Sequence, residues 1–227
     1  MTFGSLFAGI GGLDLGLERA GMECRWQVEI DEYCRRVLQR HWPGVPKHGD
    51  IRQITGSELE PVDLIAGGFP CQDVSRVGSR AGIDGKRSGL WGEYLRLVRY
   101  LRPRFVLVEN VPGLLDGGIG RVLGDLAESG FDAEWRLLSA AEFGLPHRRD
   151  RVFVIAYPRG SVEGPIGVGK LQDREAFDWK RLVLPGRVRN LYGIPAWVDR
   201  VTALGNSVNP DAAEWIGLRI MESELRR

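Results

Sequence analysis

Hydrophobic positions along the chain follow two patterns, which alternate from the N-terminus to about residue 157. Short continuous apolar runs are typical of strands, whereas apolar residues that recur every three or four positions are typical of one helix face. The runs predict strands at residues 2–7, 25–29, 62–66, 105–108, 135–138 and 152–157. The helical spacings predict helices at residues 12–20, 31–41, 90–101 and 114–126. Gly21 is placed to end the first helix, and Asp31 is placed to cap the second.

Strands that alternate with helices predict an α/β fold, in which a mostly parallel sheet has helices on both faces. Such sheets bind ligands beyond the carboxyl ends of their strands. Polar and glycine-rich residues gather there, at residues 8–12, at Glu29, and at residues 67–75 and 109–110. We therefore expect the functional site at this edge. After Tyr157 no periodicity is sustained until residues 210–227, which predict an amphipathic helix.

Length and composition narrow the class of protein. The 227 residues suffice for one large domain, or for one domain with a small appendage. Every apolar run is shorter than the roughly 20 residues that a membrane span requires, and the N-terminus lacks the basic stretch of a signal peptide. The three cysteines, Cys24, Cys34 and Cys71, include no C-x-x-C pair. We therefore expect a cytoplasmic protein without a disulfide framework or a metal site.

The net charge of +1 does not by itself indicate a nucleic-acid partner. Basic residues nevertheless outnumber acidic ones between Arg76 and Arg104. This local excess is compatible with a solvated helix face and its loop. It is equally what an anionic polymer substrate would favour beside a reactive residue.

A glycine-rich turn, FAGIGG at residues 7–12, connects the first predicted strand to the first predicted helix. Its glycines let a ligand approach the backbone, and the helix N-terminus offers free amides. Asp14 stands where the dinucleotide fingerprint needs a third glycine, which disfavours a pyrophosphate ligand and hence a nicotinamide oxidoreductase. Glu29, at the end of the second strand, suits hydrogen bonds to ribose hydroxyls. A ribose-containing ligand without a pyrophosphate suggests S-adenosylmethionine. Residues 49–51 would then hold its adenine ring.

Four further strings follow: Pro-Cys-Gln at 70–72, Glu-Asn-Val at 109–111, His-Arg-Arg-Asp-Arg at 147–151 and Gly-Asn-Ser-Val at 205–208. Together with FAGIGG, in order and roughly in spacing, they resemble the motifs of the DNA (cytosine-5) methyltransferase family. The resemblance covers residues 1–157 and 193–227 and implies a Rossmann-like, S-adenosylmethionine-dependent methyltransferase fold. It also implies a catalytic and cofactor-binding domain at 1–157, a short target-recognition segment at 158–192, and a C-terminal segment, 193–227, that returns to the catalytic domain.

The resemblance assigns roles to individual residues. Cys71 would be the nucleophile that attacks carbon 6 of cytosine, and Glu109 would contact ring nitrogen 3 and the exocyclic amine. Arg149 and Arg151 match the arginine pair that positions the base and the nucleophile. Adding a thiolate to carbon 6 makes carbon 5 nucleophilic, which is the usual logic of covalent catalysis. The implied S-adenosylmethionine pocket consists of Phe7, Gly9, Gly11, Gly12, Glu29, Ile30, Asp50, Ile51, Leu90, Asn206, Ser207 and Val208.

The segment 72–89, rich in glycine, serine and basic residues, follows the predicted nucleophile. A base inside a duplex is out of reach, so enzymes of this kind rotate it into a pocket. A flexible basic loop would close over that base and hold phosphates. The predicted DNA-binding residues are Gln72, Ser75, Arg76, Arg80, Lys86 and Arg87. Double-stranded DNA is thus the predicted substrate of a monomeric enzyme, and a cognate restriction endonuclease is a candidate partner.

Two features depart from the family pattern. The family more often has Gln where this chain has His147, and the target-recognition segment is very short, as in compact phage-type members. Two alternatives therefore stay open beside DNA methylation. One is methyl transfer to transfer RNA; the other is a non-catalytic nucleic-acid or cofactor-binding module, which the intact Cys71, Glu109 and Arg149 disfavour.

Overall fold

The computed structural model of the chain describes residues 1–70, 89–145, 149–160 and 207–225. Seven strands and six α-helices occur in these ranges. The strands are β1 (Thr2–Leu6), β2 (Glu23–Val28), β3 (Lys47–His48), β4 (Leu64–Gly67), β5 (Phe105–Asn110), β6 (Phe131–Ser139) and β7 (Asp150–Pro158). The helices are α1 (Gly12–Arg19), α2 (Glu32–His41), α3 (Leu90–Leu101), α4 (Leu114–Gly117), α5 (Ile119–Glu128) and α6 (Pro210–Leu225). Short 3-10 helices follow β3 at Ile51–Gln53 and follow β6 at Ala140–Phe143.

All seven strands form one sheet in the order β3-β2-β1-β4-β5-β7-β6. The first five strands of the chain pair in parallel, whereas β7 lies between β5 and β6 and is antiparallel to both. The predicted mostly parallel sheet is therefore confirmed. The chain builds outwards from β1 through β2 to β3, and then returns to the other side of β1 with β4. This reversal leaves a crevice at the carboxyl ends of β1 and β4, where open α/β sheets bind ligands.

Helices cover both faces of the sheet, as the sequence predicts. In β5, Val106 and Val108 pack into the core on the α3 and α5 side. The alternate residues Phe105 and Leu107 pack into the opposite core, with residues of α1 and α6. Strand side chains alternate between the two faces, so β5 must be apolar throughout to serve both cores.

The structure corrects several predicted boundaries. Strand β1 ends at Leu6, one residue early, because Phe7 adopts a left-handed conformation with φ of 54°. The predicted helix 114–126 is two helices, α4 and α5, which are separated at Gly118. Strands β6 and β7 extend beyond the predicted runs and form a long antiparallel pair. The two-residue strand β3 is too short to produce a periodic signal.

Helix α6 packs along α1 through small residues on both helices. A Cβ atom on Gly16 of α1 would collide with the carbonyl oxygen of Pro210, and one on Gly217 of α6 would lie 2.7 Å from Cβ of Ala20. Two glycines thus permit the close approach of the two backbones. Most of the predicted target-recognition segment, 158–192, lies outside the described residues, so the domain division stays a prediction. Within the described ranges, none of the helices has the length and apolarity needed to cross a membrane.

Candidate active site

The glycine turn between β1 and α1 lies at the crevice of the sheet. Three of its residues have positive φ: Phe7 at 54°, Gly9 at 57° and Gly11 at 86°. For a residue with a side chain, the left-handed backbone conformation costs about 1–2 kcal/mol, so the surrounding structure must hold Phe7 in it. At Gly11 a Cβ atom would also collide with the ring of Trp42. Gly9 and Gly11 are therefore required by the backbone conformation of the turn, and Gly11 also by its packing against Trp42.

Glu29 holds this turn in place. Its Oε2 accepts a hydrogen bond of 2.7 Å from the amide of Gly9, and its Oε1 accepts one of 2.8 Å from the amide of Asp31, before α2. A carboxylate has about four acceptor positions, so two remain for a ligand. Glu29 thus links the glycine turn to the start of α2, a contact that its position at the strand end does not predict.

A cavity of about 410 Å³ opens next to the turn. Six predicted cofactor residues line it: Phe7, Glu29, Ile30, Asp50, Ile51 and Leu90. Ile30 is 60 % exposed, although it is a large apolar side chain at a strand end. Further lining residues, which the sequence analysis did not assign to the cofactor pocket, are Val28, Arg52, Pro70, Gly89 and Glu93. Glu93 follows Leu90 by three positions on α3, so helical spacing could have identified it.

The carboxylate of Asp50 fixes the turn that forms part of the lining of this cavity. Its carboxylate caps the 3-10 helix by accepting from the amide of Arg52 and forms an ion pair of 2.5 Å with the Arg52 guanidinium. These hydrogen bonds from Arg52 lower the pKa of Asp50 below its ordinary value. Asp50 is therefore an ionised side chain that fixes the turn beside the cavity.

Glu109, at the end of β5, forms an ion pair with Arg151 of β7, with Nε 2.8 Å from Oε1. Burial raises the pKa of Glu109 to about 7, although the charges of Arg151 and Arg149 oppose this shift. Gly68 makes room for the carboxyl group, because a Cβ atom there would collide with Glu109 Oε2. A carboxyl group that exchanges a proton near neutral pH is suited to acid–base work.

Asn110 is buried next to Glu109 and connects β5 to the end of β4. Its Nδ2 donates a hydrogen bond of 3.2 Å to the carbonyl of Phe69, and its Oδ1 accepts from the amide of Val111. Asn110 therefore orients the backbone that leads through Pro70 to Cys71. Asn110 belongs to the Glu-Asn-Val motif, but the motif alone does not predict that Asn110 binds the backbone of Phe69.

Residues Ser207 and Val208, which precede α6, lie against Arg149 and the glycine turn. Arg149 Nη2 donates a hydrogen bond of 2.7 Å to the carbonyl of Ser207, and Gly12 lies so close to Ser207 and Val208 that a Cβ atom would collide with both. A second cavity, of about 50 Å³, is bordered by the glycine turn, Gly68, Glu109, Ser207 and Val208, and Phe7 borders both cavities. The structure thus joins the predicted cofactor end to the predicted catalytic end.

Several predicted site residues lie outside the described residues. They are the nucleophile Cys71, the DNA-binding set Gln72, Ser75, Arg76, Arg80, Lys86 and Arg87, and the residues His147 and Asn206. Part of the basic excess seen in the sequence has a structural role, because Arg96, Arg99 and Arg104 pair with Glu93, Glu128 and Glu224.

Comparison with known proteins identifies the family. The family model described as C-5 cytosine-specific DNA methylase matches residues 1–184. The chain belongs to this family. Among curated relatives of the chain, the type II methyltransferase M2.BsuMI of Bacillus subtilis is 41 % identical over 67 % of the chain and 41 % of its own length. M.FnuDI of Fusobacterium nucleatum is 33 % identical over 82 % of the chain and 58 % of its own length.

Solved structures agree with the fold of the chain. A protein described as a DNA modification methyltransferase encoded within an E. coli prophage has a TM-score of 0.59 and 28 % identity, over 70 % of the chain and 47 % of that protein. The Dnmt2 methyltransferase of S. pombe has a TM-score of 0.61 at 21 % identity, over 78 % of the chain and 58 % of that protein, and shows the likeness of fold alone. The chain spans between about two fifths and three fifths of the length of these relatives.

Proposed function

We propose that the protein transfers a methyl group from S-adenosylmethionine to carbon 5 of cytosine in double-stranded DNA. The observation that carries this proposal is the ion pair between the buried Glu109 and Arg151. Glu109 borders the smaller cavity beside the glycine turn, and Phe7 of that turn also borders the larger cavity that Glu29 lines. Family membership supports the same reaction. The covalent adduct, the cofactor and the DNA contacts are parts of the proposal.

The residues of the larger cavity fit S-adenosylmethionine. Glu29 keeps acceptor positions for two ribose hydroxyls after its two backbone contacts. Phe7, Ile30, Ile51 and Leu90 provide apolar surface for the adenine ring. A Cβ atom on Gly9 would meet nothing within 4 Å, so the backbone at Gly9 faces open space. When bound, S-adenosylmethionine supplies an electrophilic methyl group on its sulfonium sulfur.

Cys71 would activate the cytosine. Its thiolate forms a bond between sulfur and carbon 6, and the electron pair of the double bond between carbons 5 and 6 moves onto the ring. Glu109 in its protonated form donates its proton to ring nitrogen 3, which neutralises the charge that builds there. Carbon 5 thereby becomes nucleophilic enough to take the methyl group. Transfer of the methyl group would leave the donor sulfur as a neutral thioether. A base then takes the proton from carbon 5, the electron pair of that bond restores the double bond between carbons 5 and 6 and expels the Cys71 thiolate, and ring nitrogen 3 returns its proton to Glu109.

The arginines keep this arrangement in place. Arg151 fixes the direction of the Glu109 carboxyl group through its 2.8 Å contact, and its Nη1 donates to the carbonyl of Asp150. Its other N–H groups would donate to the cytosine carbonyl oxygen. Arg149 fixes the carbonyl of Ser207 and so holds the C-terminal segment against the glycine turn. A guanidinium near Cys71 would also favour the thiolate over the thiol.

The DNA-binding part of the proposal depends on residues in and around segment 72–89. Gln72, Ser75, Arg76, Arg80, Lys86 and Arg87 would contact the duplex after the target base has rotated out of it. The segment 158–192 would provide target recognition. We further propose that the protein acts as a monomer in the cytoplasm, with a restriction endonuclease as a candidate partner, since relatives are type II methyltransferases.

A methyl-transfer assay tests this function. Radiolabelled S-adenosylmethionine is offered to the protein with duplex DNA, and in parallel with transfer RNA. We expect label in DNA only, and none with the Cys71→Ala variant. Cys34→Ala, which changes a buried cysteine in α2, is the matched control and should remain active. Label in transfer RNA alone, or undiminished transfer by Cys71→Ala, would contradict the proposal.

A further inference from the structure

We propose that Arg96 of α3 is a positioning residue that holds the two walls of the cofactor cavity at a fixed distance. The inference rests on the proposed function, because it assigns S-adenosylmethionine to this cavity. Arg96 does not line the cavity itself, and neither the glycine turn nor the strings of the family resemblance contain it.

The guanidinium of Arg96 contacts three backbone carbonyls on one segment. Its Nη2 donates to the carbonyl of Ile54 at 2.7 Å and to that of Ile51 at 3.2 Å, and its Nη1 donates to the carbonyl of Thr55 at 3.3 Å. Its Nε donates to Glu93 Oε2 at 2.8 Å. One side chain thus bonds to two segments that are distant along the chain.

These two segments both line the cavity. Gly89, Leu90 and Glu93 contribute the wall from the start of α3, and residues 49–52 contribute the other wall. Arg96 lies about one helical turn beyond Glu93 and does not line the cavity. By bonding to Glu93 and to the carbonyl of Ile51 together, it fixes a residue from each wall relative to the other.

Apolar packing and the hydrogen bonds of Arg96 act on different parts of the segment 51–54. The side chains of Ile51 and Ile54 are buried in the same core cluster as Trp91 and Leu95 of α3, which anchors the segment 51–54. The orientation of its carbonyls is set instead by the hydrogen bonds they accept. A guanidinium presents five N–H donors in a rigid plane, so it can serve three carbonyls and a carboxylate at once, whereas a lysine ammonium cannot.

Variants of Arg96 separate this role from a general contribution to stability. Arg96→Gln removes the charge and most donors, whereas Arg96→Lys keeps the charge but not the planar fork. Arg99→Gln is the matched control, since Arg99 lies on the same helix and contacts Ser129 Oγ at 2.9 Å, away from the cavity. Affinity for S-adenosylmethionine is measured by calorimetry on the full chain, and backbone order is measured by hydrogen exchange.

We expect Arg96→Gln to weaken S-adenosylmethionine binding about tenfold or more, which is the usual effect of losing hydrogen bonds to a charged group. Arg96→Lys should bind with intermediate affinity, and Arg99→Gln should bind within about twofold of the unmodified protein. In both Arg96 variants the amides of Gln53 and Ile54, which close the 3-10 turn, should exchange faster. The amides of β5 should keep their protection.

Two outcomes would overturn the inference. One is equal cofactor affinity in the unmodified protein, Arg96→Gln and Arg96→Lys. The other is faster exchange that spreads to β5 in both Arg96 variants, because Arg96 would then stabilise the whole domain rather than the cavity. A folded, unmodified protein that does not bind S-adenosylmethionine would instead contradict the proposed function itself.

Discussion

The Nε atom of Arg151 lies 2.8 Å from Oε1 of Glu109, although the two residues belong to different strands of the sheet. Glu109 is only 8 % exposed. Burial favours its neutral form, and the two nearby arginines favour its ionised form, so that its pKa stands at about 7. The pair therefore provides a carboxyl group that is partly protonated near neutral pH and is held in one direction.

Replacing Glu109 tests its role as a proton donor. Glu109→Gln keeps the shape and an N–H donor but cannot transfer a proton, so we expect the methyl-transfer rate to fall by roughly 10²–10⁴-fold. Cofactor affinity should change little. In the unmodified protein the rate should fall as the pH rises above about 7, because Glu109 then loses its proton. A rate profile that stays flat from pH 6 to about 9 would contradict this role.

The glycine behind Glu109 offers a second test. Gly68→Ala introduces a Cβ atom that collides with Glu109 Oε2, so we expect methyl transfer to drop by at least about tenfold while cofactor affinity persists. Gly124→Ala in α5 is the matched control, since a Cβ atom there meets nothing within 4 Å. That control should be slightly more stable, by about 0.5–1 kcal/mol. Equal activity of both variants would show that the position of Glu109 does not matter.

Replacing Glu29 should lower the affinity for the cofactor and leave the affinity for DNA unchanged. Glu29→Ala removes the acceptor for the Gly9 and Asp31 amides together with the proposed ribose contacts, so we expect cofactor affinity to fall about tenfold or more. Glu32→Ala changes an exposed glutamate that pairs with Arg36, and it should leave cofactor affinity unchanged. Weaker DNA binding with intact cofactor binding in Glu29→Ala would refute the assignment.

Asp14 should make stability depend on pH. It is buried, its carboxyl group accepts hydrogen bonds from Ser5 Oγ and Gln27 Nε2, and burial raises its pKa from 3.8 to about 6. The folded state thus holds this proton more tightly than the unfolded state. The free energy of unfolding should therefore fall, by up to about 3 kcal/mol from Asp14, as the pH rises from about 4 to about 6.

Asp14→Asn should abolish this contribution, so the variant should gain stability relative to the unmodified protein over the same pH range. The new amide could also donate to Gln27 Oε1, which has no hydrogen-bond partner among the residues that the structure describes. Urea unfolding at several pH values measures the difference between the two proteins. A difference that stays constant with pH would show that Asp14 is not the titrating group.

Local pattern accounts for most of the fold. The fully apolar run 105–108 predicts a strand covered on both faces, and its alternate residues do enter two cores. Local pattern does not reveal where strand β1 ends, because Phe7 looks like any strand residue. Its left-handed conformation depends on the tertiary structure around the turn. Gly118 likewise separates α4 from α5 inside a region whose apolar spacing continues without interruption.

The sequence predicts the individual residues of the candidate site better than it predicts the contacts between them. The rule that ligands bind at strand ends selects the glycine turn, Glu29 and Glu109 together. The partnership of Glu109 with Arg151 depends on β7 running antiparallel beside β5, so that Glu109 pairs with Phe153 in register. The contacts of Arg96 with Ile51 and Ile54 are likewise long-range and leave no periodic signal in the sequence.

The measurement that tests the central claim most directly is bisulfite sequencing of DNA from a methylation-free bacterial host that expresses the protein. A host that expresses the Cys71→Ala variant is the control. The account predicts cytosines that resist conversion in one recurrent sequence context with the unmodified protein, and none above background with Cys71→Ala. Cytosines converted to the same extent in both hosts, with both proteins folded and present, would contradict it.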